Sequence, residues 1–233
     1  MPLKIVSCPS PNHDARPEGA AIDMLVLHYT GMRTADEALA RLCDPAAKVS
    51  AHYTIGRDGR IFAHVPEERR AWHAGVSHWA GEKNVNGRSI GIELVNPGHE
   101  FGYVPFAQAQ IAALMDLAQA ILKRHPIPPA RVLGHSDVAP ARKQDPGELF
   151  PWAQLAEFGI GVWPEPPPRG VGEAPPTDLA RYGYGVHPYT DVPLDAVVTA
   201  FQRHFRPAAV NGIWDGECAS ALAALLAPKA VVS

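Results

Sequence analysis

Two stretches limit what this chain can become: Ile22–Tyr29 (IDMLVLHY) and Ser89–Val95 (SIGIELV). Each is an almost unbroken apolar run of strand length. A strand with one wet face would alternate apolar and polar residues, whereas a continuous run marks a strand buried on both faces. Buried strands need layers above and below them, and the chain supplies helices. Between Phe106 and His125, the residues Ile111, Leu114, Met115, Leu117, Ala118, Ile121 and Leu122 recur at helical spacing and stop before Pro126. Thr34–Leu42 predicts a second helix, with Thr34 as N-cap and Glu37 at the capping-box position. Val49–Ile55 and Arg60–Val65 flank Gly56-Arg57-Asp58-Gly59 as a β-hairpin. Arg131–Leu133 reads as a short strand and Trp152–Phe158 as a short helix. Strands interleaved with helices make an α/β layered domain. Residues 1–20, rich in Pro, Asn and Gly, read as an irregular lead-in with His13 on its surface.

Proline places the boundary. Of 24 prolines, many cluster in residues 161–177 (GVWPEPPPRGVGEAPPT), which cannot hold regular hydrogen bonding and reads as an extended tether. Residues 1–160 are then the main domain. Residues 178–233 are a small three-helix domain with helices at 178–182, 194–205 and 215–226. Leu179, Tyr182, Val197, Ala200, Phe201, Phe205, Leu222 and Leu225 form its expected core, near the lower size limit for independent folding. A net charge of -3 argues against nucleic acid as a partner. No apolar run approaches the roughly 20 residues of a membrane span. The lead-in lacks the apolar core of a secretion signal, so a cytoplasmic protein is expected, or a periplasmic one if a signal has been removed. Cys8, Cys43 and Cys218 are widely scattered and read as incidental small apolar residues.

Chemistry concentrates in Val132–Trp152. This stretch puts His135, Lys143 and Asp145 in one loop, where Pro140 and Pro146-Gly147 forbid a regular helix or strand. A histidine with a carboxylate ten positions later is two thirds of a zinc site that keeps a place open for water. His28, closing the first buried strand, is a candidate third ligand. The competing view makes His135 a hydrogen-bonded loop histidine and Asp145 a helix cap. Glu93 is the one charge in the second buried strand, where an unpaired carboxylate costs several kcal/mol unless it is paired or beside a metal. Gly91, two residues earlier, permits close approach to the backbone there. The long segment 66–88 contains Ala71-Trp72-His73-Ala74-Gly75 and Asn84-Val85-Asn86-Gly87-Arg88, and loops of that length tend to be functional.

Assembled, these residues resemble the zinc-dependent N-acetylmuramoyl-L-alanine amidases of bacteria, above all those with a C-terminal peptidoglycan-binding helical domain. The matching stretches are VLHYT at 26–30, SAHY at 50–53, AWHAG at 71–75, SIGIEL at 89–94 and GHSDVAPARKQDPG at 134–147, then RYGY at 181–184 and AFQRHFRP at 200–207. The resemblance implies a mixed sheet flanked by helices with a small C-terminal three-helix domain. It implies that His28, His135 and Asp145 hold Zn2+, that Glu93 is the acid/base residue and that Lys143 stabilises the developing oxyanion. Trp72, His73 and Asn86 are the candidate substrate-binding groups. The implied reaction is hydrolysis of the amide between N-acetylmuramic acid, including its 1,6-anhydro form, and L-alanine of peptidoglycan or muropeptides, in cell-wall turnover and recycling. The chain departs from the helical-domain pattern at Asn211–Cys218. Two other functions compete: a non-catalytic peptidoglycan recognition protein, which would lack a ligand or the acid/base carboxylate, and a zinc peptidase acting within the stem peptide.

Overall fold

The computed structural model of the protein describes residues 3–165 and 174–227. The chain starts with β1 (Ile5–Ser7), β2 (His13–Ala15), β3 (Met24–Tyr29), α1 (Ala35–Cys43), β4 (Tyr53–Ile55), β5 (Ile61–Ala63) and β6 (Arg69–Ala71). It continues with α2 (Val85–Arg88), β7 (Ser89–Leu94), α3 (Gly98–Phe101), α4 (Gln108–Arg124), β8 (Val132–Gly134), α5 (His135–Val138) and α6 (Trp152–Glu157). Helices α7 (Leu179–Tyr182), α8 (Leu194–Phe205) and α9 (Gly216–Leu226) complete it. Among the described residues, no helix is long and apolar enough to cross a membrane. Much of the expected tether, residues 166–173, and the chain end at 228–233 lie outside the described residues.

Six strands form one mixed sheet in the order β1-β5-β4-β7-β3-β8. Only the β4–β5 hairpin is antiparallel. The two apolar runs are its central neighbours, β3 and β7, buried as their composition requires. The lead-in is more ordered than its composition suggests. Its β1 joins the sheet edge beside β5, and β2 pairs with β6 in a separate two-stranded ribbon. Both strands are only three residues long, too short for any periodic signal. A second correction concerns the cysteines, because the fold brings the Sγ atoms of Cys8 and Cys43 to 3.4 Å.

Side-chain alternation divides the sheet into two faces. Leu25 and Leu27 of β3 and Ile90, Ile92 and Leu94 of β7 face α4, which presents Ile111, Leu114, Leu117, Ala118 and Ile121. Each such aliphatic chain contributes about 1.5–3 kcal/mol on full burial. Buried Gln110 fixes α4 at the end of the sheet, donating from Nε2 to the carbonyls of Ile55 (2.8 Å) and Val95 (3.2 Å). The opposite face carries Met24, Val26 and His28 in register with Ser89, Gly91 and Glu93. A period of two thus puts the hydroxyl, the glycine and the charge of β7 all on the face away from α4.

That second face is covered in part by the C-terminal helices. Leu179, Val197, Ala200, Phe201, Phe205 and Leu222 are buried as expected, but in one cluster with Met24, Val26, Trp79 and Leu133. So short a helical segment enlarges its core by sharing that of the sheet domain. The buried carboxylate of Asp137 on α5 ties the two parts together, accepting from the Gly134 amide (2.7 Å), Tyr184 Oη (2.6 Å) and His204 Nδ1 (2.7 Å).

Candidate metal centre

The site forms where β3 ends, α5 begins and the loop after α5 folds back. Parallel pairing sets His28 opposite Glu93 on adjacent strands. β8, on the other side of β3, delivers His135 as the first residue of α5. The amide of Ser136 donates to the carbonyl of Asp145 at 2.9 Å, closing the loop so that the Asp145 side chain returns to His135. Three buried atoms converge as a result. His28 Nδ1 and His135 Nδ1 are 2.9 Å apart, and Asp145 Oδ2 lies 3.0 Å and 3.1 Å from them.

Hydrogen bonding on the outer nitrogens fixes what these atoms present. His135 Nε2 lies 3.1 Å from the Ala74 carbonyl, which can only accept, so the proton sits on Nε2 and Nδ1 is a bare lone pair. A longer relay settles His28. Ser89 donates its hydroxyl proton to the Val85 carbonyl at 2.7 Å, so its oxygen is left to accept from His73 Nε2 at 3.0 Å. Nδ1 of His73 is therefore bare and accepts from His28 Nε2 at 3.0 Å. Nδ1 of His28 is bare in turn. Two imidazole lone pairs and a carboxylate oxygen thus face one another, which is repulsive without a cation among them.

Metal–donor bonds of about 2.0–2.1 Å would set tetrahedral donor atoms about 3.3 Å apart, a few tenths beyond the spacing here. The donor set and both outer-nitrogen partners fit a divalent ion of the zinc type. Electrostatics agree. Burial pushes the His28 pKa down to about 4, so the ring stays neutral.

Glu93 stands beside this cluster. Its Oε2 is buried and has no hydrogen-bond partner among the described residues. Burial and then the charge of Asp145 raise its pKa well above the ordinary value, opposed by Lys143. Glu93, Lys143, Asp145, His135, Trp72 and His73 line one cavity of about 690 Å³, bounded elsewhere by α1 and α3. The structure therefore brings seven of the eight expected site residues to one place. Asn86 stands outside that lining, and its Oδ1 accepts from the amides of His73 (3.1 Å) and Ala74 (2.8 Å). His73 reaches the cavity wall, but both ring nitrogens belong to the relay.

Several participants escaped the sequence. Ser89 reads there only as the start of a strand, and its place in the relay depends on the ring of His73 crossing Gly91. A Cβ on Gly91 would lie 2.5 Å from His73 Cγ, so the glycine admits that ring. His52 and His64, which flank the β4–β5 hairpin strands, are buried and bonded away from the three-donor cluster. From α8, Arg203 reaches Gln144 at 3.2 Å and Glu148 at 3.8 Å, bracing the Asp145 loop from the C-terminal segment.

The sequence profile of the N-acetylmuramoyl-L-alanine amidases matches residues 18–148. The chain is 44% identical to N-acetylmuramoyl-L-alanine amidase AmiD of Escherichia coli (strain K12), over 88% of this chain and 82% of that one. It is 36% identical to 1,6-anhydro-N-acetylmuramyl-L-alanine amidase AmpD of Enterobacter cloacae, over 63% of this chain and 86% of that one. Among solved structures, the complex of E. coli AmiD with the substrate anhydro-N-acetylmuramic acid-L-Ala-D-gamma-Glu-L-Lys matches with a TM-score of 0.79 at 40% identity, over 91% of each chain. AmpDh3 of Pseudomonas aeruginosa in complex with anhydromuramic pentapeptide matches with a TM-score of 0.77 at 38% identity, over 89% of this chain and 92% of that one.

Proposed function

This chain belongs to the N-acetylmuramoyl-L-alanine amidase family, and from that premise we propose that it is a zinc-dependent amidase of cell-wall turnover and recycling. Its substrates are peptidoglycan or muropeptides, including those ending in 1,6-anhydro-N-acetylmuramic acid. The bond cut joins the lactyl carbonyl of the sugar to the amino group of L-alanine. The observation that carries this reading is the convergence of three bare donor atoms beside the buried, unpartnered Oε2 of Glu93 at one cavity.

His28, His135 and Asp145 would hold the ion. When bound, zinc supplies a Lewis acid that polarises the scissile carbonyl and makes a water molecule more acidic. Glu93, with its raised proton affinity, takes the proton of the attacking water and returns it to the leaving amine. Lys143, on the same wall, sets its ammonium against the charge that develops on the carbonyl oxygen. Loss of one such donor typically lowers the rate by roughly 10²–10³. Trp72 offers an aromatic face to sugar or peptide. Asn86 acts here from behind the wall, shaping the 73–74 backbone, and His73, at the wall itself, orients His28.

The division into a catalytic domain over 1–160, a tether over 161–177 and a peptidoglycan-binding-like helical domain over 178–233 belongs to the same proposal. The end of the family match at residue 148 supports it. The core shared with Phe201 and Phe205 adds a buttressing role for the helices.

Digestion of purified anhydro- and reducing-end muropeptides, with the products weighed, tests the reading. The expected products are the free sugar and an intact stem peptide with a new L-alanine amino terminus. Cleavage between stem amino acids would favour the peptidase. Binding without hydrolysis by the zinc-loaded protein would favour the recognition protein.

A further inference from the structure

Away from the cavity floor, Cys8, Cys43 and His64 form a second cluster of metal-ligating side chains. The hydrogen-bond logic that favours an ion at the first cluster disfavours one here. His64 Nδ1 lies 2.7 Å from the carbonyl oxygen of Cys8, which can only accept, so that nitrogen carries a proton and offers no lone pair. Its other nitrogen faces Thr54 Oγ1 at 2.8 Å, whose hydroxyl supplies the matching proton. Two thiols remain, with sulfurs 3.4 Å apart and 35 residues apart in sequence.

The backbone around them is already held in place. Ser10 Oγ donates to the Leu42 carbonyl at 2.5 Å, and Asn12 Nδ2 donates to those of Asp44 (2.8 Å) and Val49 (2.9 Å). The Cys8 amide donates to the Ala63 carbonyl at 2.9 Å. Both thiols are partly exposed. Closing the sulfurs to a bond of about 2.05 Å needs side-chain rotation and a small backbone shift. We propose that Cys8 and Cys43 are an oxidisable pair that forms an intramolecular disulfide, stapling the lead-in to the C-terminal end of α1. Ala38, Arg41 and Leu42 of α1 line the catalytic cavity, so the staple also fastens one of its walls.

The oxidant is a small-molecule disulfide such as oxidised glutathione. Cys8, as thiolate, attacks one of its sulfurs, giving a mixed disulfide and releasing one thiol. Cys43 then loses its proton and attacks the Cys8 sulfur, releasing the second thiol. Two protein S–H bonds are lost, one S–S bond forms, and the oxidant gains both electrons and both protons. Burial pushes the Cys43 thiol up to about 11, so closure is slow at neutral pH and faster in mild alkali.

The test equilibrates the folded full-length chain in oxidised glutathione or in excess reductant, then digests it without reduction for mass spectrometry. The oxidised sample should yield a peptide joining Cys8 to Cys43, lighter by two hydrogens than the separate peptides. Its melting temperature should rise by about 8–15 °C, the range for a loop of this length in a chain of this size. Cys8→Ser and Cys43→Ser should each abolish the linked peptide and the rise, whereas Cys218→Ser should keep both. Recovery of Cys8 and Cys43 as free or glutathione-capped thiols from folded protein would overturn the proposal. So would a second bound zinc, measured with zinc alone, that disappears in Cys43→Ser.

Discussion

Ser89→Ala is a small change outside the cavity lining, and it tests the logic of the candidate metal centre. In the parent, the Ser89 oxygen is the acceptor that keeps the His73 proton on Nε2, and so keeps His28 Nδ1 bare. Alanine removes that acceptor inside a site where Ser89 is fully buried and His73 nearly so. An unpartnered buried N–H costs about 1–3 kcal/mol. The ring escapes that cost by moving its proton to Nδ1, where it donates to His28 Nε2. The proton of His28 is then displaced to Nδ1, 3.0 Å from Asp145, where the ion must bind. Binding must reverse this shift, so the penalty falls on metal affinity rather than on folding. Loss of an outer-nitrogen partner typically weakens a site by about 10–100-fold, or about 1.4–2.7 kcal/mol, which matches the cost of the orphaned N–H. Chelator competition at neutral pH measures the affinity, and ¹⁵N NMR of the metal-free protein reports which nitrogen of His28 is protonated. Activity should return at saturating zinc. Parent-like affinity together with an unchanged His28 tautomer would refute the relay.

Glu93→Gln should retain the metal and lose hydrolysis by roughly 10²–10⁴, as for other general bases; loss of the ion along with activity, seen by metal analysis, would make Glu93 structural. Gly91→Ala places a Cβ 2.5 Å from His73 Cγ, and the displaced ring should cost about 1–3 kcal/mol in urea titrations as well as metal affinity. Stability should also fall in acid through His52, whose pKa is pushed down to about 3 by burial and then by the charge of Arg16. Between its unfolded value near 6.5 and about 3 the unfolded chain binds the extra proton, so stability rises with pH across that window, by about 2 kcal/mol from pH 5 to neutrality. His52→Asn should flatten this slope in urea titrations at the two pH values, and an unchanged slope would acquit the residue.

The sequence alone determined the sheet centre and pointed to the candidate chemistry at the ends of its strands. Continuous apolar runs at 22–29 and 89–95 admit little besides strands covered on both faces, and a charge inside one of them demands a partner or a purpose. The helix at 108–124 was equally plain, because seven apolar residues kept one period. These signals are local: hydrophobic period, caps and proline operate over a few residues and survive in a string of letters. Tertiary structure decided the rest. Only strand register sets His28 opposite Glu93, and only the loop closed by the Ser136 amide returns Asp145 to His135. The direction of a proton in Ser89–His73–His28, the meeting of Cys8 with Cys43 and the sharing of one core by β3 and α8 join residues distant in the chain. Such contacts follow from packing, which no short window of sequence contains.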